Sequence, residues 1–154
     1  MVTLAFDTST LVEVMRAREP NVRQRFVEAV GGPKRMVASI VVLHELLSGA
    51  LAAHSPTRER EKIARIMHAI EVAPLEESDA VSTASVLHQL RRLGRPIGDI
   101  DTLIAGQALA RGWTVVTGNV RHFGRIEGLP LIDWSVGPEP LSTSEIARRV
   151  ALGE

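Results

Sequence analysis

Thr3-Leu4-Ala5-Phe6-Asp7-Thr8-Ser9-Thr10 is a short apolar run that stops on a carboxylate and passes directly into three hydroxyl residues. The run is strand-like and buried, and a helical pattern follows from about Thr8 to Arg18, ending before Pro20. The alternation then repeats. Helical stretches are expected over 21–30, 41–54, 57–69, 76–93 and 99–111, with strands at 36–40, 71–75, 114–116 and 129–133. Gly31-Gly32-Pro33, Ser55-Pro56, Gly94 and Gly112 punctuate them. Thr57 is expected to cap the helix it opens, and Gly112 to sit just past the helix before it. Strands alternating with helices imply an α/β fold with a mainly parallel central sheet covered on both faces. Ligands bind such sheets beyond the carboxyl ends of their strands, where Asp7 and Thr117-Gly118-Asn119 both fall.

The chain of 154 residues is the size of one domain, and residues 1–135 are read as that domain. Residues 136–154 form a tail, entered through Gly137-Pro138-Glu139-Pro140. In the tail, Ser142 and Glu145 have capping-box spacing. Ile146, Ala147, Val150 and Ala151 make a small stripe that either docks on the domain or meets a partner. Eighteen Lys and Arg balance eighteen Asp and Glu, which argues against coating nucleic acid non-specifically. Without cysteine, disulfides, thiolate metal sites and a cysteine nucleophile are excluded. No apolar stretch reaches membrane-spanning length and no basic leader precedes Leu4, so the expected location is cytoplasmic, with no membrane partner.

Charge is informative where it is missing. Asp7 is the only charged residue from Met1 to Val12, Glu45 the only Asp, Glu, Lys or Arg from Met36 to Thr57, and Asp99 and Asp101 the only ones from Pro96 to Ala110. A carboxylate in an apolar segment is expected to be buried and either hydrogen-bonded or bound to a cation. Glu45 is expected opposite Leu43, Leu46, Leu47, Ala50 and Leu51, on a helix buried all round. Asp7, Asp99 and Asp101 also fit helix caps or first-turn acids. Carboxylates converging at one end of a parallel sheet make a site for a hard cation such as Mg²⁺ or Mn²⁺, which serves phosphodiester hydrolysis. Competing chemistries lack their marks. No glycine-rich turn follows the first strand, and there is no P-loop, no G-x-S-x-G elbow and no H-E-x-x-H. The five histidines show no ligand spacing and are read as surface or core residues.

Asp7-Thr8-Ser9, Leu43-His44-Glu45-Leu46, Pro96-Ile97-Gly98-Asp99-Ile100-Asp101-Thr102-Leu103-Ile104-Ala105 and Val115-Val116-Thr117-Gly118-Asn119-Val120-Arg121-His122-Phe123 together resemble a PIN domain. The nearest subgroup is the VapC-type toxin ribonucleases of type II toxin–antitoxin pairs. The resemblance spans about residues 1–134. It implies a three-layer α/β/α sandwich and a Mg²⁺- or Mn²⁺-dependent endoribonuclease acting on tRNA or other structured RNA. It assigns Asp7, Glu45 and Asp101 as catalytic, metal-holding acids, with Asp99 and Asn119 as further candidates for the metal. Thr8, Ser9 and Thr117 orient them. The family often has another acid where this chain has Asn119 and His122. Candidate RNA contacts are Arg91, Arg92 and Arg95 near the third acid, and Arg121 and Arg125 near Asn119. A VapB-type antitoxin and a homodimer are the implied partners. Two other classes stay open: a PIN-like module that binds RNA or protein without cutting, and a PIN nuclease of RNA maturation or decay outside any toxin pair.

Overall fold

The structure is a computed structural model and describes all 154 residues. Five strands, β1 (Thr3–Phe6), β2 (Arg35–Ser39), β3 (Glu71–Ala73), β4 (Thr114–Val116) and β5 (Leu131–Ile132), form one sheet in the order β3-β2-β1-β4-β5. Every pairing is parallel. Eight helices connect or follow the strands: α1 (Thr8–Arg16), α2 (Pro20–Ala29), α3 (Ile40–Leu51), α4 (Pro56–Met67), α5 (Glu77–Arg92), α6 (Asp99–Arg111), α7 (Val120–Phe123) and α8 (Thr143–Leu152). The chain winds from β1 outward to β3, then returns across β1 to β4 and β5. Right-handed crossovers in opposite directions put α1–α4 on one face and α5–α7 on the other. The switch in winding opens a crevice between the carboxyl ends of β1 and β4. Asp7 and Thr117 are the residues that leave those two strands.

The core explains why the sheet holds this crevice rigidly. Leu4, Ala5 and Phe6 are buried on both faces, as are Val37, Val115, Val116 and Leu131, the pattern of a covered parallel sheet. Phe6, fully buried, meets Phe26 and Trp134 edge-on, with ring centroids 5.9 and 5.2 Å apart. Ile63 and Ile70 are part of the same core, and Ile66 and Met67 pack partly against it. No helix is long and apolar enough to cross a membrane.

Several element ends differ from the sequence reading, each for a local reason. α2 and α4 begin on Pro20 and Pro56, not on Asn21 and Thr57. Proline at the first helical position lacks only an N–H that would be unpaired anyway. Ser55, not Thr57, is therefore the cap position of α4. α7 has no mark in the sequence, because a four-residue turn carries no periodicity. α3 is not buried all round. Its inward face is Val42, Leu46 and Ala50, while Leu51 is 70% exposed. The capping box of α8 is one-sided. The Ser142 hydroxyl accepts the Glu145 N–H, but the Glu145 carboxylate is engaged by Arg148.

Two contacts tie α5 to α6. Asp79, buried, accepts from Nε and Nη2 of Arg111 at 3.1 and 2.7 Å and from the Glu76 N–H. Gly106 lets the helices touch: a Cβ there would stand 2.6 Å from both Cα and Cγ2 of Thr83. Gly106→Ala is expected to cost about 2 kcal/mol and to lower the melting temperature by several degrees. Thermal unfolding followed by circular dichroism checks it, and an unchanged melting temperature would show that the two helices are not in close contact in solution.

Candidate functional site

Asp7 turns the end of β1 into the start of α1. Its backbone is extended, and its Oδ1 accepts the Thr10 N–H at 2.9 Å, so it is the N-cap of α1. It does more than cap. Ser9 Oγ donates to its carboxylate at 2.9 Å, and Thr117 Oγ1 reaches across from the end of β4 to donate to Oδ2 at 2.5 Å. No cation touches it, although it is only 3% exposed. Burial pushes its carboxyl up from 3.8 to about 6, and the donors from Thr117, Thr10 and Ser9 pull it down only in part. Asp7 is thus a desolvated carboxylate held ready, with no positive partner in the fold.

Thr117 links Asp7 to the next acid. Its hydroxyl also accepts the Asn119 N–H at 2.8 Å. The Asn119 side chain lies 3.4 Å from Asp101 Oδ2 and 2.9 Å from Nδ1 of His122, and that nitrogen is 3.0 Å from Asp101 Oδ2. Asp7, Thr117, Asn119, His122 and Asp101 therefore form one connected run across the switch point. Glu45 joins from α3. Its carboxylate accepts from Thr8 Oγ1 at 2.5 Å, and Thr8 is the neighbour of Asp7 in the chain. Glu45 and Asp101 are half-buried, so Asp7 alone of the expected buried acids is fully enclosed.

Asp99 lies apart from this run. Asp99 and Asp101 are two residues apart in the first turn of α6, and successive positions on a helix turn by about 100°. Asp99 is accordingly exposed and lines a separate groove with Thr83, Leu87 and Arg91. Neither aspartate is the N-cap, a position taken by Gly98 at φ 96°. The left-handed φ suits glycine. His122, read from sequence as a bystander, touches the third acid. The signal that could have found it is its place three residues after Asn119, on the turn following β4.

Two clefts border this run. One, of about 500 Å³, contains Ser9, Gly118, Asn119 and Arg121, with the end of α8 as its far wall. The other, of about 580 Å³, contains Thr8 and Glu45 and is lined by Arg16, Arg18 and Lys62, cations absent from the sequence reading. Of the five arginines proposed from sequence, only Arg121 lines a cleft that contains site residues. Arg125 is engaged by the Pro96 carbonyl at 2.9 Å, Arg91 borders the Asp99 groove, and Arg92 and Arg95 are exposed.

The donor set is hard oxygen, with one imidazole beside Asp101. No three Asp, Glu or His side chains stand close enough to form a ready cage for an ion. Mg²⁺ prefers one or two carboxylates, several retained waters and substrate phosphate to an all-protein cage. A buried, partnerless Asp7 with Glu45 and Asp101 on adjoining elements fits that mode.

Comparison with known proteins agrees with this architecture. The PIN domain family matches residues 4–129. The tRNA(fMet)-specific endonuclease VapC of Shigella flexneri is 35% identical over 135 residues, covering 88% of this chain and all of that protein. Ribonuclease VapC1 of Haemophilus influenzae strain R2866 is 27% identical, covering 84% of this chain and 96% of that protein. Among solved structures, DNA-bound VapBC from Salmonella typhimurium superposes with a TM-score of 0.79 at 33% identity, over 87% of this chain and 99% of that one. The parallel sheet, the family match over most of the chain and these relatives agree: this chain belongs to the PIN domain family.

Proposed function

We propose that this chain is a VapC-type endoribonuclease, the toxin of a VapBC-type pair, which hydrolyses phosphodiester bonds in tRNA or other structured RNA with the aid of Mg²⁺ or Mn²⁺. The observation that carries the reading is Asp7: a fully buried carboxylate at the switch point, raised to about 6 by desolvation and held by three donors but by no cation. Strongly perturbed carboxylates concentrate at functional sites, and Asp7 lies beneath Thr8 and Ser9, which line the two clefts. The named relatives supply the reaction class and the kind of RNA, and the VapBC structures supply the antitoxin partner.

Asp7, Glu45 and Asp101 are the residues that would hold the ion. Bound there, a divalent cation supplies activation of water and neutralisation of charge on the scissile phosphate. The chain does the rest. Thr117 and Ser9 fix both oxygens of Asp7, Thr8 fixes Glu45, and Asn119 with His122 fixes Asp101, so the acids keep one geometry whether or not RNA is present. Asn119 brings an amide where the family often has an acid, which lowers the negative charge facing the phosphate. Arg121 binds the RNA backbone beside Ser9 and Gly118. A cation that binds the folded chain and not the unfolded one also stabilises the fold by mass action. The protein works in the cytoplasm with its tRNA pool, as a homodimer.

The test is cleavage of total tRNA by antitoxin-free protein with Mn²⁺, with EDTA, and with Asp101→Asn. Cutting that needs Mn²⁺ and disappears in the variant supports the proposal. A folded wild type that cuts nothing, and whose melting temperature does not move in millimolar Mn²⁺, supports instead a PIN-like binding module, the reading that Asn119 in place of an acid favours.

Arg121→Ala is expected to weaken RNA binding alike for all sequences and to reduce the salt dependence by about one charge. Arg125→Ala, whose guanidinium is engaged by Pro96, is expected to leave that slope alone. Titration at several salt concentrations reads both.

A further inference from the structure

α8 lies beyond the region matched to the family, yet it is built into the site's surroundings. Ile146 and Val150 pack on Gly124, the residue that ends α7. A Cβ at Gly124 would come within 2.7 Å of Val150 Cγ2 and 2.8 Å of Ile146 Cγ2, so only glycine admits the helix this closely. Arg149 Nη1 donates to Asp133 Oδ2 at 2.8 Å, with side chains 12% and 5% exposed. The other oxygen of Asp133 is taken by the N–H and hydroxyl of Ser135. The segment before α8 is anchored too, by the Leu141 N–H on the Leu131 carbonyl at 2.8 Å.

α7 needs such support. It is a single turn of four residues, and a turn that short has no stability of its own. Val120 and Phe123 bury its inner side in the core. On its other side α7 is capped by Asn119 and carries His122, the two residues that stand against Asp101. A shift of α7 by a fraction of its radius would carry both off the acid.

We infer that α8 is a brace for the site: Ile146 and Val150 on Gly124, locked by the Arg149–Asp133 pair, hold α7 so that Asn119 and His122 orient Asp101. Ile146 and Val150 are positioning residues, acting through α7 without touching RNA, whereas Arg149, paired with Asp133, also lines the cleft of Ser9 and Arg121. The inference rests on the functional reading of Asp101 above.

The test uses full-length protein carrying Arg149→Ala, or the pair Ile146→Ala and Val150→Ala, with Arg149→Lys as the conservative control. Two readouts are taken on folded protein below its melting transition. In ¹⁵N-labelled protein without RNA, the imidazole resonances of His122 are followed, with His44, His54, His68 and His88 as internal references. Then kcat and KM for RNA cleavage are measured. In both loosened variants the His122 resonances are expected to move while the four references stay. The kcat is expected to fall about tenfold, the scale of a small misplacement of a catalytic group, with KM within twofold in the Ile146 and Val150 variant. Arg149→Lys restores most of both. A purely structural tail would lower the melting temperature and move neither readout, which would overturn the brace. Moved resonances with unchanged kcat would overturn its bearing on the reaction. If wild-type protein cuts no RNA, the proposed function falls, and the His122 resonances still decide whether α8 holds α7.

Discussion

Asp7→Asn is expected to abolish RNA cleavage and, at neutral pH, to make the protein more stable. The catalytic half follows from the site: the amide keeps the shape and the N-cap acceptor for the Thr10 N–H but cannot carry the negative charge that a divalent cation or a phosphate-bound water requires. A loss of about 10³-fold or more is expected, comparable to removing a principal electrostatic group from an active site. The stability half follows from the carboxyl at about 6 against its ordinary 3.8. A group whose folded value is raised binds its proton more tightly in the folded protein. Its contribution is most favourable below pH 3.8 and is lost as pH rises through 6. The full loss, reached above pH 6, corresponds to about 3 kcal/mol for this completely buried group. Asn carries no such penalty, though its hydrogen bonds to Ser9 and Thr117 are weaker than those of a carboxylate. A net gain of about 1–2 kcal/mol at pH 7.5 is expected, fading toward zero near pH 4. Melting curves of both proteins across pH 4–8, without divalent ions, measure it. A variant less stable than wild type at pH 7.5 would show that the ionised Asp7 is already well compensated.

Thr117→Val should have the second largest effect. Thr117 is buried, donates to Asp7 and accepts from the Asn119 N–H. Valine keeps the volume and removes both roles. The first loss leaves Asp7 with Ser9 and Thr10 only and moves its carboxyl further up. The second frees the backbone of Asn119, the start of α7. Removing a hydrogen bond to a charged buried group costs about 2 kcal/mol, concentrated at pH 7.5, where Asp7 is ionised, and smaller at pH 4, where it is neutral. Cleavage is expected to fall about 100-fold, because two of the three acids lose their alignment together. Thr117→Ser, which keeps the hydroxyl, should recover most of both. Equal stability losses for Val at pH 4 and 7.5 would show that Thr117 packs in the core without serving Asp7.

The fold was legible in the sequence because its signals are local. Apolar runs bounded by Asp7, by Gly31-Gly32-Pro33 and by Gly112 mark strands and helices without reference to anything distant. The uncharged surroundings of Asp7, Glu45 and Asp101 single those acids out in the same way. The tail stripe of Ile146 and Val150 was legible as apolar, and the structure seats it on the chain's own α7. What escaped were features with no periodicity of their own: the single turn α7, the one-sided cap of α8 and the exposed face of α3.

The sequence by itself determined the alternation of elements, the hydroxyl-flanked acids and the absence of cysteine and of competing motifs, since these depend on residue type and spacing alone. Only the tertiary structure decided what each acid meets. Asp7 and Thr117 are 110 residues apart, and parallel pairing of β1 with β4 brings them to hydrogen-bond distance. Helical geometry turns Asp99 away from its near neighbour Asp101. Packing against α6 and α8 makes His122, a solitary histidine in the sequence, a partner of the third acid. Burial raises Asp7 because desolvation is a property of the whole enclosing fold and cannot be read from the residues on either side.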